Sequence, residues 1–439
     1  MLALERIASS ADSFFRQGHN SMQTNQETGQ ETRTQTWTSE LRYVARQPIM
    51  DLRGRVHGYE LLFRSGAKSV PGGDGNTAAR TMLDNAVIFG LERFTNGLPA
   101  FINCTAEALT ENLVDVLSPS LTVLGISSTL EMTSALIDTC HELKNKGFRI
   151  LLDDFTWGAD AGPLEGLADY VRVDFSKMPA ESRKRVRSPH CDSIMVIAKC
   201  LQTQDEYMEA CAAGFTFFQG DYLCHPVLLK KSKIPANRLS HFDIMRLLHH
   251  DPIDLRQVSR LVMRDAALTF RLLRLVNSPV YATHQDIRSI ESAILIVGDQ
   301  ALRRIISLAI LSELNANQPP EILQMAFLRA RFCELAARLC WLDPAEQYLL
   351  GMFSMVSTML RLPMDEVTQS LPFRDQICEA LLGTNNPERT VLNWLELHER
   401  GDWEGCDAVG KTIGLSADKL NLCYADAIVW AHLTISSAT

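Results

Sequence analysis

Between residues 41 and 232 the chain alternates short apolar runs with longer stretches of helical pattern, and this alternation restricts the available folds more than any other feature. The runs RVHGYELLF, LPAFINC, LTVLGIS with STLEMTS, FRILLDD, YVRVDF, SIMVIAK and FTFFQGDYL read as strands. Between them lie helix-like stretches such as NTAARTMLDNAVIFGLERF, AEALTENLVDVL, SALIDTCHELKNKG and TQDEYMEACAAG. Strands that alternate with helices imply a parallel sheet. The number of units in about 190 residues fits a (β/α) barrel at the small end of its size range. An open doubly wound sheet is the alternative.

Polar residues fall at or near the ends of several runs: Glu60, Asn103, Glu131, Asp153 with Asp154, Asp174 and Gln219. In a barrel the strand C-termini converge on one face, so these distant residues meet in one pocket. Carboxylates together with an amide suit hard divalent cations such as Mg²⁺, which take oxygen ligands. Any one of them alone reads more simply as a helix cap or surface acid. Their recurrence at successive strand ends is what favours a site.

After HPVLLKKSKIPANRLSHFDI the strands stop, and the chain to Thr439 reads as almost wholly helical. Asp254 can cap a helix, Asn277, Ser278 and Pro279 end the next one, and Gly298 breaks IESAILIVG from ALRRIISLAILSEL. Residues 1–40 read as a flexible leader, polar over 19–39, with a short amphipathic helix or a frayed terminus before it at Leu2, Leu4, Ile7, Phe14 and Phe15. The expected organisation is therefore a leader over 1–40, a barrel over 41–232 and a helical domain over 238–439.

The net charge of −9 provides no overall cationic field for nucleic acid. Arg303 and Arg304 on one helix read as solvent-facing charges and do not reverse that expectation. No apolar run of 18 residues appears, and Glu5 and Asp12 interrupt the N-terminal stretch where a signal peptide needs apolar residues, so a cytoplasmic protein without a membrane partner is expected. The 11 cysteines show no metal-ligand spacing and read as reduced, mostly buried thiols.

The segment QPIMDLRGRVHGYELLFR, with Gln47, Pro48, Ile49, Gly58, Glu60, Leu62 and Arg64, resembles the opening of the EAL family of cyclic di-GMP phosphodiesterases. FIN with Asn103, LEMT with Glu131, LLDDF with Asp153 and Asp154, VRVD with Asp174, and FFQGDYL with Gln219 follow in that family's order. The resemblance implies a (β/α)8-type barrel. It also implies that Glu60, Asn103, Glu131, Asp153 and Asp154 would hold Mg²⁺ or Mn²⁺ ions that activate a water for in-line attack. Cyclic di-GMP is the implied ligand, contacted by Gln47, Glu60, Leu62, Arg64 and Gln219, with the Arg64 guanidinium as a planar fork on a phosphate.

The departures point the other way. Arg172 in RVD stands where the family has a lysine that positions the attacking water, and Lys199 in KCLQ stands where it has a metal-supporting acid. Two like charges at about 4 Å repel by several kcal/mol at intermediate dielectric, so a weakened metal site with no catalytic residue is expected. Thr156 also replaces the glycine of D-D-F-G.

The helical half resembles the HDOD domain through MRDAALTFRLLRLVNSPVY and RSIESAILIVGDQALRRIISLAIL, with Asp265, Leu272, Asn277, Ser278 and Tyr281. Ser354 and Met355 stand where active HD hydrolases have His-Asp, and the His249–His250 pair has no carboxylate at ligand spacing, so no metal site is expected there. These readings together describe a bacterial signalling protein with a degenerate barrel as receptor or scaffold and a protein partner on the HDOD side. A weak metal-dependent phosphodiesterase is the alternative, and the resemblance also allows a homodimer through the barrel.

Overall fold

Alternating inward and outward side chains along short strands leave each strand one face for a barrel interior and one for covering helices. The computed structural model describes residues 44–63, 91–131, 133–155, 166–179, 183, 194–224, 241, 243–244, 247–248, 254–277, 290–315, 318–369, 371 and 373–436. Its strands are β1 (Val44–Asp51), β2 (Val56–Phe63), β3 (Ala100–Cys104), β4 (Thr122–Ser127), β5 (Arg149–Asp153), β6 (Tyr170–Asp174), β7 (Met195–Lys199) and β8 (Phe217–Phe218). They close into a barrel in chain order. β1 runs antiparallel to both β2 and β8, while the remaining neighbours pair in parallel.

The expected (β/α)8-type barrel is therefore present, but with a strand the apolar runs did not reveal. A tight turn joins β1 to β2: Asp51 Oδ1 accepts hydrogen bonds from the backbone N–H groups of Arg53 (2.8 Å) and Arg55 (2.9 Å). So short a connection can join only antiparallel strands, whereas a parallel pair needs a crossover. STLEMTS is likewise not a strand. Ser128 to Leu130 turn, and Thr133 caps the next helix by accepting from the Leu136 N–H.

The helices described on the barrel are α1 (Leu91–Thr95), α2 (Ala106–Thr110), α3 (Ser134–Asn145) and α4 (Gln204–Ala213). From residue 241 onward every described element is helical: α5 (Leu255–Val262), α6 (Ala266–Val276), α7 (Ile290–Leu314), α8 (Pro320–Ala337), α9 (Pro344–Phe353), α10 (Val356–Leu360), α11 (Met364–Thr368), α12 (Asp375–Leu381), α13 (Thr390–Glu399), α14 (Trp403–Ile413) and α15 (Ala417–Ser436). Gly298, at φ +75°, divides α7 at the expected break. α8 packs against α9, α13 and α15. The leader, the 232–238 boundary, Arg64 and the His249–His250 pair lie outside the described residues.

Residues 40–439 form one compact unit, and one apolar cluster runs from the outer faces of the strands into the helical half. Buried polar groups join the two. Arg46 donates to the Phe94 carbonyl at 2.6 Å and lies 4.4 Å over the Tyr59 ring, and the Tyr59 hydroxyl donates to Glu321 Oε2 at 3.1 Å. Burial pushes the Glu321 carboxyl up to about 7, against the pull of Arg46 and Tyr59 and with help from the Glu399 charge.

Because this acid is raised above its unfolded value of 4.5, its proton stabilises the fold at low pH, and that contribution fades as pH climbs from about 4.5 through 7. Glu321→Gln keeps an acceptor for Tyr59 without the titration. The variant should gain on the parent by about 1–3 kcal/mol between pH 5 and pH 8 in paired thermal melts. Identical pH dependence in the two proteins would contradict this account of Glu321.

Candidate functional site at the barrel mouth

The strand alternation stacks a polar layer directly on an apolar one. Ile49, Phe101, Val123, Leu151, Tyr170 and Ile197 form a buried cluster inside the barrel, with Phe217 against it. Two residues further along the parallel strands stand Asn103, Gly125, Asp153, Arg172 and Lys199, with Gln219 just past β8. On antiparallel β1 the equivalent step leads back to Gln47, which pairs in register with Glu60 on β2. Gly125 makes room for this layer, because a Cβ there would lie 2.4 Å from Asn103 Oδ1.

Arg172 is the centre of the layer and is 1% exposed. Its Nη2 lies 2.7 Å from Glu60 Oε1 and donates to Asn103 Oδ1 at 3.1 Å. Its Nε donates to Asp153 Oδ1 at 2.8 Å, Nη2 also reaches Asp153 Oδ2, and Nη1 donates to Gln219 Oε1 at 3.2 Å. Lys199 completes the cationic side: its Nζ donates to Asp153 Oδ1 at 3.0 Å and to Asp154 Oδ1 at 2.6 Å. Asp154 follows the end of β5 in the left-handed region, at φ +52°, a conformation Asp tolerates better than most residues.

The amides close the network. Asn103 Nδ2 donates to Glu60 Oε1 at 3.0 Å, and Gln219 Nε2 donates to Gln47 Oε1 at 3.0 Å and to Glu60 Oε2. Both oxygens of Glu60 and both oxygens of Asp153 are thus held by protein donors. Such charge-assisted pairs satisfy one another without any added ion.

Burial alone would raise the Asp153 carboxyl, but the hydrogen bond and charge of Arg172, reinforced by Lys199, take it down to about 2. Burial likewise opposes the charge on Arg172, and the nearby Glu60 and Asp153 more than offset it, holding the guanidinium protonated. For Asp153 the depressed value means stability that is complete above its unfolded value of 3.8 and is lost as pH falls toward 2. That loss should amount to roughly 2 kcal/mol, and Asp153→Asn should abolish it. Urea denaturation at pH 5 and pH 2.5 would measure it; an equal acid loss in the variant would contradict the assignment.

Of the residues singled out in the sequence, Gln47, Glu60, Asn103, Asp153, Asp154 and Gln219 are drawn together by this network. Glu131 is exposed, and none of these hydrogen bonds or ion pairs reaches it. Leu62 is half-buried and faces the helical half, where a Cβ on Gly401 would come within 3.1 Å of its Cδ1. Gln47 also touches that half, donating to the Glu399 carbonyl at 3.1 Å. A cavity of about 310 Å³ lies beside Gln47 and Gly220 and is also lined by Glu321, Arg329, Glu399 and Arg400. A second, of about 330 Å³, opens beside Asp154, Asp174 and Lys177.

From the sequence alone, Arg172 and Lys199 read as substitutions that weaken a site. Their role as the network's own cations was missed, and the inward register they share with Asp153 was the signal that could have found it.

The HDOD domain family matches residues 234–366. The uncharacterized protein YuxH of Bacillus subtilis is 31% identical over 402 residues, covering 89% of this chain and 98% of that protein. A protein of Vibrio cholerae named cyclic di-GMP phosphodiesterase CdgJ is 28% identical over 398 residues, covering 89% and 92% respectively. Among solved structures, a calcium and cyclic di-GMP complex of BlrP1 from Klebsiella pneumoniae is 21% identical with a TM-score of 0.35, covering 41% of this chain and 54% of its own. No helix among the described residues is long and apolar enough to cross a membrane. With an eight-stranded barrel whose first strand runs antiparallel, an HDOD match in the helical half and a relative aligned along almost its whole length, the chain belongs to the family that joins an EAL-type barrel to an HDOD domain.

Proposed function

We propose that the barrel is a non-catalytic member of the cyclic di-GMP phosphodiesterase fold that acts as a receptor or scaffold, with output through the HDOD half. The observation that carries this reading is Arg172, whose guanidinium bridges Glu60 and Asp153 at the centre of the mouth, with Lys199 spanning Asp153 and Asp154. A pair of Mg²⁺ or Mn²⁺ ions would have to displace both side chains from the oxygens it needs, against two fixed positive charges. The residues present do not fit such a pair, which leaves the barrel without the ions that would activate a water.

Binding does not depend on those oxygens alone. Gln47 and Leu62 are candidate ligand contacts, and both touch the helical half, near Glu399 and Gly401. A nucleotide that contacts them would therefore also act on the position of α13 and the turn after it. That is a route from ligand to output, provided the ligand's affinity differs between two arrangements of this contact. The protein partner is assigned to the HDOD half, and a homodimer through the barrel is compatible with the same reading.

Calorimetric titration with cyclic di-GMP in EDTA tests the receptor form. Binding without metal supports it, while no heat up to high micromolar nucleotide leaves a scaffold that has lost the ligand. A second reading, a weak phosphodiesterase, is favoured by the name of the Vibrio cholerae relative. It requires turnover with Mg²⁺ or Mn²⁺, which the first reading excludes.

A further inference from the structure

We propose that His241, Asp265 and Glu313 form a divalent transition-metal site in the helical half, apart from the barrel mouth. Among the described residues, these three side chains are the one group of His, Cys, Asp or Glu donors brought to metal-ligand spacing, all three donor atoms lying within 4.8 Å of one another. His241 Nε2 is 3.2 Å from Asp265 Oδ2 and 3.8 Å from Glu313 Oε2. Metal bonds of about 2.0–2.2 Å in tetrahedral geometry place ligands about 3.3–3.6 Å apart, so a small inward adjustment suffices.

The supports of the group are already set. Asp265 uses its other oxygen, Oδ1, to cap α6 by accepting from the Leu268 N–H at 3.0 Å, which turns Oδ2 toward the imidazole. His241 is fully buried, while the side chains of Asp265 and Glu313 are 26% and 23% exposed. An ion can therefore enter from the solvent side, and water can fill its remaining positions.

The imidazole meets both acids through Nε2. His241 Nδ1 is buried with no hydrogen-bond partner. A dication would be held by His241 Nε2 together with Asp265 Oδ2 and Glu313 Oε2. One imidazole and two carboxylates suit Zn²⁺ or Mn²⁺ better than Mg²⁺ or Ca²⁺, which prefer oxygen alone.

Titrating the chelator-stripped full chain with Zn²⁺, and separately with Mn²⁺, tests the proposal. One equivalent is expected, with affinity lowered at least tenfold by Glu313→Gln and by His241→Asn. Glu313 is partly exposed, so Glu313→Gln should still fold; melting temperature and far-UV circular dichroism check both variants. No binding by the parent overturns the site and leaves a bridged imidazole. Binding undiminished in a folded Glu313→Gln also overturns it and moves the ion elsewhere, for example to exposed Cys200. A second equivalent insensitive to Glu313→Gln would count against the reading of the barrel and not against this site.

Discussion

Arg172→Ala should unfold at much lower urea than the parent, losing about 3–5 kcal/mol at neutral pH. The size follows from what remains: Glu60 and Asp153 are 6% and 5% exposed and would lose the guanidinium that now contacts both. Arg172→Lys should lose less, because an ammonium keeps the charge but cannot span Asp153, Glu60, Asn103 and Gln219 from one planar fork. If Arg172→Ala is as stable as the parent, the buried network is not what holds the mouth closed.

The second large effect is a gain. Replacing Lys199→Glu together with Arg172→Lys moves the mouth two charge units toward negative and returns both positions to the residues that active EAL barrels carry. The double variant should be less stable than the parent in EDTA and should recover with Mg²⁺, since oxygen ligands without a competing cation are what that ion takes. At about 100-fold over its dissociation constant an ion bound only to the folded state adds about 2.7 kcal/mol, a shift of several degrees in thermal melting. The parent's melting temperature should not respond to Mg²⁺. A double variant equally indifferent to it would place the defect beyond these two positions, at exposed Glu131 for instance.

Much of the barrel was legible because strand period and helix period differ, and the polar layer was legible because its members fall at successive strand ends. β1 was not, since Arg46, Gln47 and Pro48 interrupt its apolar pattern and its pairing depends on a turn made by Asp51. Lys199 was readable as a reversed charge, yet a sequence does not reveal that its ammonium reaches both Asp153 and Asp154. The same limit hid Glu321, an acid on α8 that meets Tyr59 of β2 only through the fold. His241, Asp265 and Glu313 follow no spacing rule because whole helices separate them.

If Arg172 and Lys199 bar a metal pair from the barrel mouth, the protein hydrolyses no cyclic di-GMP. The purified protein, incubated with cyclic di-GMP at saturating Mg²⁺ and again at saturating Mn²⁺, tests this directly when the linear product is followed by chromatography. The account predicts no product above the rate without protein in either metal; metal-dependent turnover, abolished by Asp153→Asn, would contradict it.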